Sequence, residues 1–153
     1  MRLWRICRKP YTPSALDGIG GLYTSGRWHR KGRPIVYTAT SASLAALEVL
    51  VHVDPLTAPD DLRLISIEIP DDLAIEALEP SELPEGWNAV PAPPELQALG
   101  ESWLLSGRSA ALIVPSAVIT IERNVLLNPL HHHAKRISIL SEDDFSFDPR
   151  LLA

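Results

Sequence analysis

The sequence predicts one α+β domain over residues 1–153, with short strands in mixed sheets and a few flanking helices. Three observations lead there. A chain of 153 residues buries one substantial core and is too short for two ordinary ones. Its 14 prolines fix many turns and leave little room for long helices. Its apolar residues fall in brief alternating runs, the period of half-buried strands.

The elements follow in order. Leu3–Ile6 alternates and opens the chain as a strand. Residues 17–21 and 26–32 are glycine-rich loops, the second feeding a strand over Pro34–Thr38. Thr40 and Ser41 are both suited to cap a helix that runs to about Val53 and stops ahead of Pro55. Arg63–Ile69 alternates as a strand. Residues 79–94 hold five prolines and form a long connector. A helix spans about Pro94–Leu105 and ends at Gly107. Ala110–Val114 and Val118–Ile121 read as strands separated by Pro115-Ser116, and Arg136–Leu140 is the last strand.

Composition excludes several classes. Hydrophobic and charged fractions of 46% and 22% are near globular averages, which argues against disorder. Cys7 is the single cysteine, so no internal disulfide can form and a reducing cytoplasm is the expected compartment. No apolar run approaches the roughly 18 residues of a membrane span, and the first nine residues interleave charge with apolar side chains, unlike a signal peptide.

The net charge of −5 conceals an asymmetry: residues 1–36 carry eight basic residues against Asp17 alone, while residues 54–101 hold twelve acids against Arg63. Eleven of the fourteen basic residues are arginine, whose planar fork suits phosphate or carboxylate. A local basic segment on an acidic body fits a small anionic ligand better than a nucleic-acid track. Equally, these arginines could pair with the acidic middle of the same chain.

One residue breaks its pattern. On the helix from Ser41, Leu44, Leu47 and Val51 form an apolar stripe, and the i+4 member of that stripe is Glu48. An isolated buried carboxylate costs on the order of several kcal/mol. Glu48 therefore either pairs with an arginine or faces a cavity where a ligand sits. His52, one turn on, decorates the same face. In the preceding loop, Gly26 and Gly32 let the backbone approach an anion, and Arg27 between them is a natural clamp. No Walker A or Rossmann spacing is present. Tyr37, at the end of the next strand, belongs to the core or stacks on a ring. Trp28, beside Arg27, belongs to the core or lines the site. His131-His132-His133 lacks the spacing of a metal site, because consecutive side chains diverge. No metal is expected.

The run Gly26-Arg27-Trp28-His29, Gly32, Ile35-Val36-Tyr37-Thr38-Ala39, Ser41, Ser43-Leu44-Ala45 and Leu47–His52 resembles the RES-domain toxins of RES–Xre toxin–antitoxin pairs. Gly107-Arg108-Ser109, Val114-Pro115-Ser116, Glu122, Asn124 and Leu126-Leu127-Asn128-Pro129 extend the likeness over nearly the whole chain. The loop His29-Arg30-Lys31 is more basic than the family's usual one.

The resemblance implies an ADP-ribosyltransferase-like fold and a toxin that consumes NAD+ as substrate, by hydrolysis or phosphorolysis of the nicotinamide–ribose bond or by moving ADP-ribose onto a protein. It makes Arg27 the family arginine and Glu48 the family glutamate. Ser116 is the better choice for the serine and Ser109 the weaker. In that chemistry Glu48 stabilises charge on the ribose and Arg27 grips pyrophosphate or orients Glu48. Tyr37, Ser116, Trp28 and Ser109 would contact the substrate. The implied partner is an Xre-like helix-turn-helix antitoxin that covers the pocket. A non-catalytic module or an RNA-directed toxin is the contrasting reading. The acidic body and the lack of interleaved basic and aromatic residues weigh against RNA.

Overall fold

The computed structural model describes residues 1–153. Seven strands form one mixed sheet: β1 (Arg2–Arg8), β2 (Val36–Ala39), β3 (Leu62–Glu68), β4 (Ile75–Ala77), β5 (Ala111–Pro115), β6 (Arg123–Leu127) and β7 (Ser138–Phe145). They lie in the order β4-β5-β6-β2-β1-β3-β7, antiparallel throughout except for the parallel β4–β5 pair. The α-helices are α1 (Gly20–Tyr23), α2 (Ala42–Leu50) and α3 (Pro94–Ser106).

Strand alternation sorts the side chains onto two faces. Leu3, Val36, Ile65, Ile67, Ala111, Val125 and Leu127 share one core cluster. Strands from both halves of the sheet meet in it. The intervening residues point the other way, into two separate clusters. Leu112, Val114 and Leu126 pack with Leu96, Trp103 and Leu104 of α3. Ile6, Ala39 and Leu62 pack with Leu44 and Ala45 of α2. Helix α2 has nine residues, too short to persist alone in water. Full burial of Leu44, worth about 2 kcal/mol, helps hold it on the sheet.

The sheet is weakest at its centre. β1 pairs β3 along its whole length but meets β2 at one register only, Trp4 opposite Ala39. The strands diverge there, beside the gap between the α2 and α3 clusters. That gap holds the site.

Local corrections have identifiable causes. Val118–Ile121 is not a strand. Ser116 Oγ accepts the Val118 and Ile119 amides at 3.1 and 3.0 Å and turns the chain, so the partner strand starts at Arg123. Strand β4 was not expected, being only three residues long at a sheet edge. β7 continues through Glu142, Asp143 and Asp144, whose charges disguise an exposed edge strand. Residues Gly20–Tyr23 form a short helix within the expected loop, and α2 ends at Leu50 rather than Val53. Cys7 is half-buried.

Candidate active site

A cavity of about 1040 Å³ lies between α2 and the 26–29 loop, over β1, β2 and β6. Glu48 enters it from α2, Arg27 and His29 from the loop, Arg5, Tyr37 and Asn124 from the strands, and Val90 from the proline-rich connector.

Helix α2 begins where Ser41 Oγ accepts the Leu44 amide at 3.0 Å. One turn beyond Leu44, Glu48 is half-buried at the cavity wall. Ser116 Oγ donates to Glu48 Oε1 at 2.7 Å, and Asn124 Nδ2 donates to the same oxygen at 2.6 Å. The two amides already held by Ser116 occupy its lone pairs, so its one hydrogen is directed at the carboxylate. Hydrogen bonds to a charged acceptor are among the stronger ones. Both arrive at Oε1, which leaves Oε2 to the cavity. Of the two options open for Glu48, the cavity is the one realised, since its partners are neutral and no arginine pairs with it.

Helix α3 holds the arginine loop. Gln97 Nε2 donates to the Gly26 and His29 carbonyls at 3.0 and 3.2 Å. Glu101 accepts the Arg30 amide and Nη1, both at 2.9 Å. At Gly100 a Cβ would overlap the Trp28 carbonyl. Positions 97, 100 and 101 share one helix face. With the loop docked, Arg27 Nη1 donates to the Trp87 and Ala89 carbonyls at 2.9 and 3.0 Å, fixing the connector as a cavity wall.

Arg5 bridges the opened strands, its Nη1 donating to the Tyr37 carbonyl at 2.9 Å. Arg5 Nε and Asn124 Oδ1 are buried without a partner, and both belong to cavity residues. Such orphans are rare in folded proteins and mark places where a ligand or water is received. Burial lowers the pKa of Arg5 and of Arg27, the latter partly offset by Glu48. Both remain cations at neutral pH. The pairing of basic residues with the acidic middle is thus partial. Arg8 pairs with Asp61 and Arg30 with Glu101, whereas Arg5 and Arg27 form no ion pair and face the cavity.

The structure brings Arg27, Glu48 and Tyr37 together around the cavity and corrects two other positions, Ser116 and Ser109. Ser116 is fully buried behind Glu48 and orients that carboxylate instead of a ligand. Trp28 meets both of its expected placements: it is 3% exposed and packs in the α3 cluster, and it also contributes to the cavity lining. Ser109 is outside the cavity: it accepts from Trp103 Nε1 at 2.8 Å and donates to Glu76 Oε2 or the Ala111 carbonyl. From sequence, Arg5 has no role in the site and Asn124, a residue of the family resemblance, is assigned to local backbone; the structure puts Asn124 on Glu48 and both residues at the cavity.

The RES domain model matches residues 2–148. The chain belongs to the RES domain family. It is 44% identical over 154 residues to a protein named Toxin Res from Photorhabdus laumondii, covering 99% of this chain and 97% of that one. It is 39% identical over 153 residues to a Sphingobium protein named Prs ADP-ribosylating toxin, covering 97% and 95%. In fold, this RES domain matches a chain of the Mycobacterium tuberculosis MbcT–MbcA toxin–antitoxin complex with a TM-score of 0.70 at 21% identity, covering 99% of this chain and 86% of the other. Of the two serines flanking β5, only Ser116 touches Glu48.

Proposed function

We propose that this RES-family toxin cleaves the nicotinamide–ribose bond of NAD+ and so depletes it. The observation that carries the reading is Glu48, with Oε1 fixed by Ser116 and Asn124 and Oε2 left to a cavity that also holds two cations without acidic partners. As the C1′–N bond breaks, its electron pair leaves with neutral nicotinamide and positive charge builds on the ribose. A fixed carboxylate beside that charge stabilises it without reorganisation. Arg5 and Arg27 suit the pyrophosphate, Arg27 through the guanidinium N–H groups not spent on the connector carbonyls. The Tyr37 ring is a stacking wall for nicotinamide. Water or phosphate then adds at C1′ and gives up a proton to solvent.

The name of the Sphingobium relative favours a second acceptor, a protein side chain that receives ADP-ribose through the same bond cleavage. The M. tuberculosis complex supports an antitoxin partner, here an Xre-like helix-turn-helix protein covering the cavity mouth, and such a pair would act in the cytoplasm. No helix is long and apolar enough to cross a membrane. The products separate the acceptors. NAD+ would be incubated with purified protein in buffer, in phosphate, and with cell lysate. Free ADP-ribose, a phosphorylated ADP-ribose, or label on a lysate protein identifies water, phosphate or protein in turn. Intact NAD+ in all three, with folded protein, would remove the reading.

A further inference from the structure

We infer that His29 is a positioning residue which, with the Trp28 amide, consumes the hydroxyl of Tyr37 and fixes its ring as a cavity wall. The inference rests on the proposed NAD+ reaction only for the consequence in turnover. Its geometric part stands on the apo fold.

His29 is 3% exposed and its ring is bonded at both nitrogens. Nε2 lies 2.9 Å from the Thr24 carbonyl, which can only accept, so Nε2 carries the hydrogen. In the neutral ring Nδ1 is then bare and accepts the Tyr37 hydroxyl at 2.7 Å. The Trp28 amide donates to the same hydroxyl at 3.2 Å. Tyr37 has one hydroxyl hydrogen, and it goes to His29. The phenol therefore has none to donate to a ligand and offers the cavity its ring.

The loop sequence is built for this. The Gly26 amide donates to the His29 carbonyl at 3.0 Å, closing residues 26–29 into a tight turn. A Cβ on Gly26 would sit 2.6 Å from the Tyr37 hydroxyl oxygen and 2.9 Å from His29 Cε1. Within four consecutive residues, Gly26 supplies the space, Arg27 the cavity cation, Trp28 the amide donor and His29 the acceptor. At the other end, Arg5 holds the Tyr37 carbonyl. The tyrosine is thus pinned at backbone and hydroxyl, with its ring between.

A coupling cycle with a spectroscopic arm tests this. Long-range ¹⁵N–¹H NMR of the free protein should show His29 as the Nε2–H tautomer, with its Nδ1 resonance shifting in Tyr37→Phe. In NAD+ consumption, His29→Leu and Tyr37→Phe should each lose about tenfold in kcat/KM, and the double variant no more than about twofold beyond the larger single loss. His29→Asn, whose amide oxygen can take the Nδ1 place, should recover most of the loss, and serves if His29→Leu does not fold. An Nδ1–H tautomer, or an Nδ1 resonance indifferent to Tyr37→Phe, overturns the inference. So do losses that multiply in the double variant. If the wild type consumes no NAD+, the proposed reaction fails while the NMR arm still decides whether His29 takes the Tyr37 hydroxyl hydrogen.

Discussion

Ser116 Oγ and Glu48 Oε1 are 2.7 Å apart, across 68 residues of sequence. The serine is fixed in turn by the Val118 and Ile119 amides, so the β5–β6 turn sets the direction in which the carboxylate points. Removing the hydroxyl should loosen Glu48 without removing it. Ser116→Ala is expected to lower kcat about 10- to 100-fold with little change in KM, and Glu48→Gln about 10³-fold. Steady-state NAD+ consumption measures both.

Ser109 provides the contrast. It bonds Glu76, Ala111 and Trp103, none of which lines the cavity. Ser109→Ala should leave kcat and KM unchanged and cost about 1–2 kcal/mol of stability in urea unfolding. A drop in kcat matching that of Ser116→Ala would reverse the assignment of the two serines.

Arg27 serves the connector as well as the cavity, through the carbonyls of Trp87 and Ala89. Arg27→Lys keeps the charge but cannot span two carbonyls and an anion at once. It should raise KM for NAD+ nearly as much as Arg27→Ala, about 10-fold or more, and increase proteolysis within residues 87–92. Limited proteolysis beside KM determination separates the two roles.

The docking of the loop on α3 depends on a missing side chain. A methyl group at Gly100 collides with the Trp28 carbonyl. Gly100→Ala should therefore destabilise the fold by about 1–3 kcal/mol, although alanine favours an isolated helix. A gain in melting temperature would contradict the observed packing.

Burial lowers the pKa of His29, against a smaller opposing effect from the Thr24 carbonyl and Glu101. The unfolded chain protonates this histidine near pH 6.5, and the folded chain only at lower pH. Stability from neutral His29 is therefore complete above that value and falls as pH drops toward the folded pKa. Urea titrations from pH 8 to 5 should show a steeper loss in the wild type than in His29→Asn.

Much of this was legible in the sequence, for physical reasons. Glu48 announces itself because a carboxylate interrupts the Leu44–Leu47–Val51 stripe, and Arg27 because glycines flank it. Ser41 caps its helix as its residue type predicts. Asn124 is part of the family resemblance, but its contact with Glu48 is not legible from a strand expected at Val118–Ile121: the turn held by Ser116 shifts β6 to Arg123–Leu127 and brings Asn124 to the carboxylate. Arg5 is harder to read because a charged residue in a strand normally faces solvent, whereas here it shares the alternation of buried Leu3 and donates across to the Tyr37 carbonyl of β2. Ser109 and Ser116 flank one strand, and sequence order alone does not say which end faces α2.

The most direct test of the account is nicotinamide release from NAD+ by the purified protein beside folded Glu48→Gln. The account predicts stoichiometric nicotinamide from the wild type and at least about 10³-fold less from the variant. Equal release from both, or none from a folded wild type with any acceptor supplied, would contradict it.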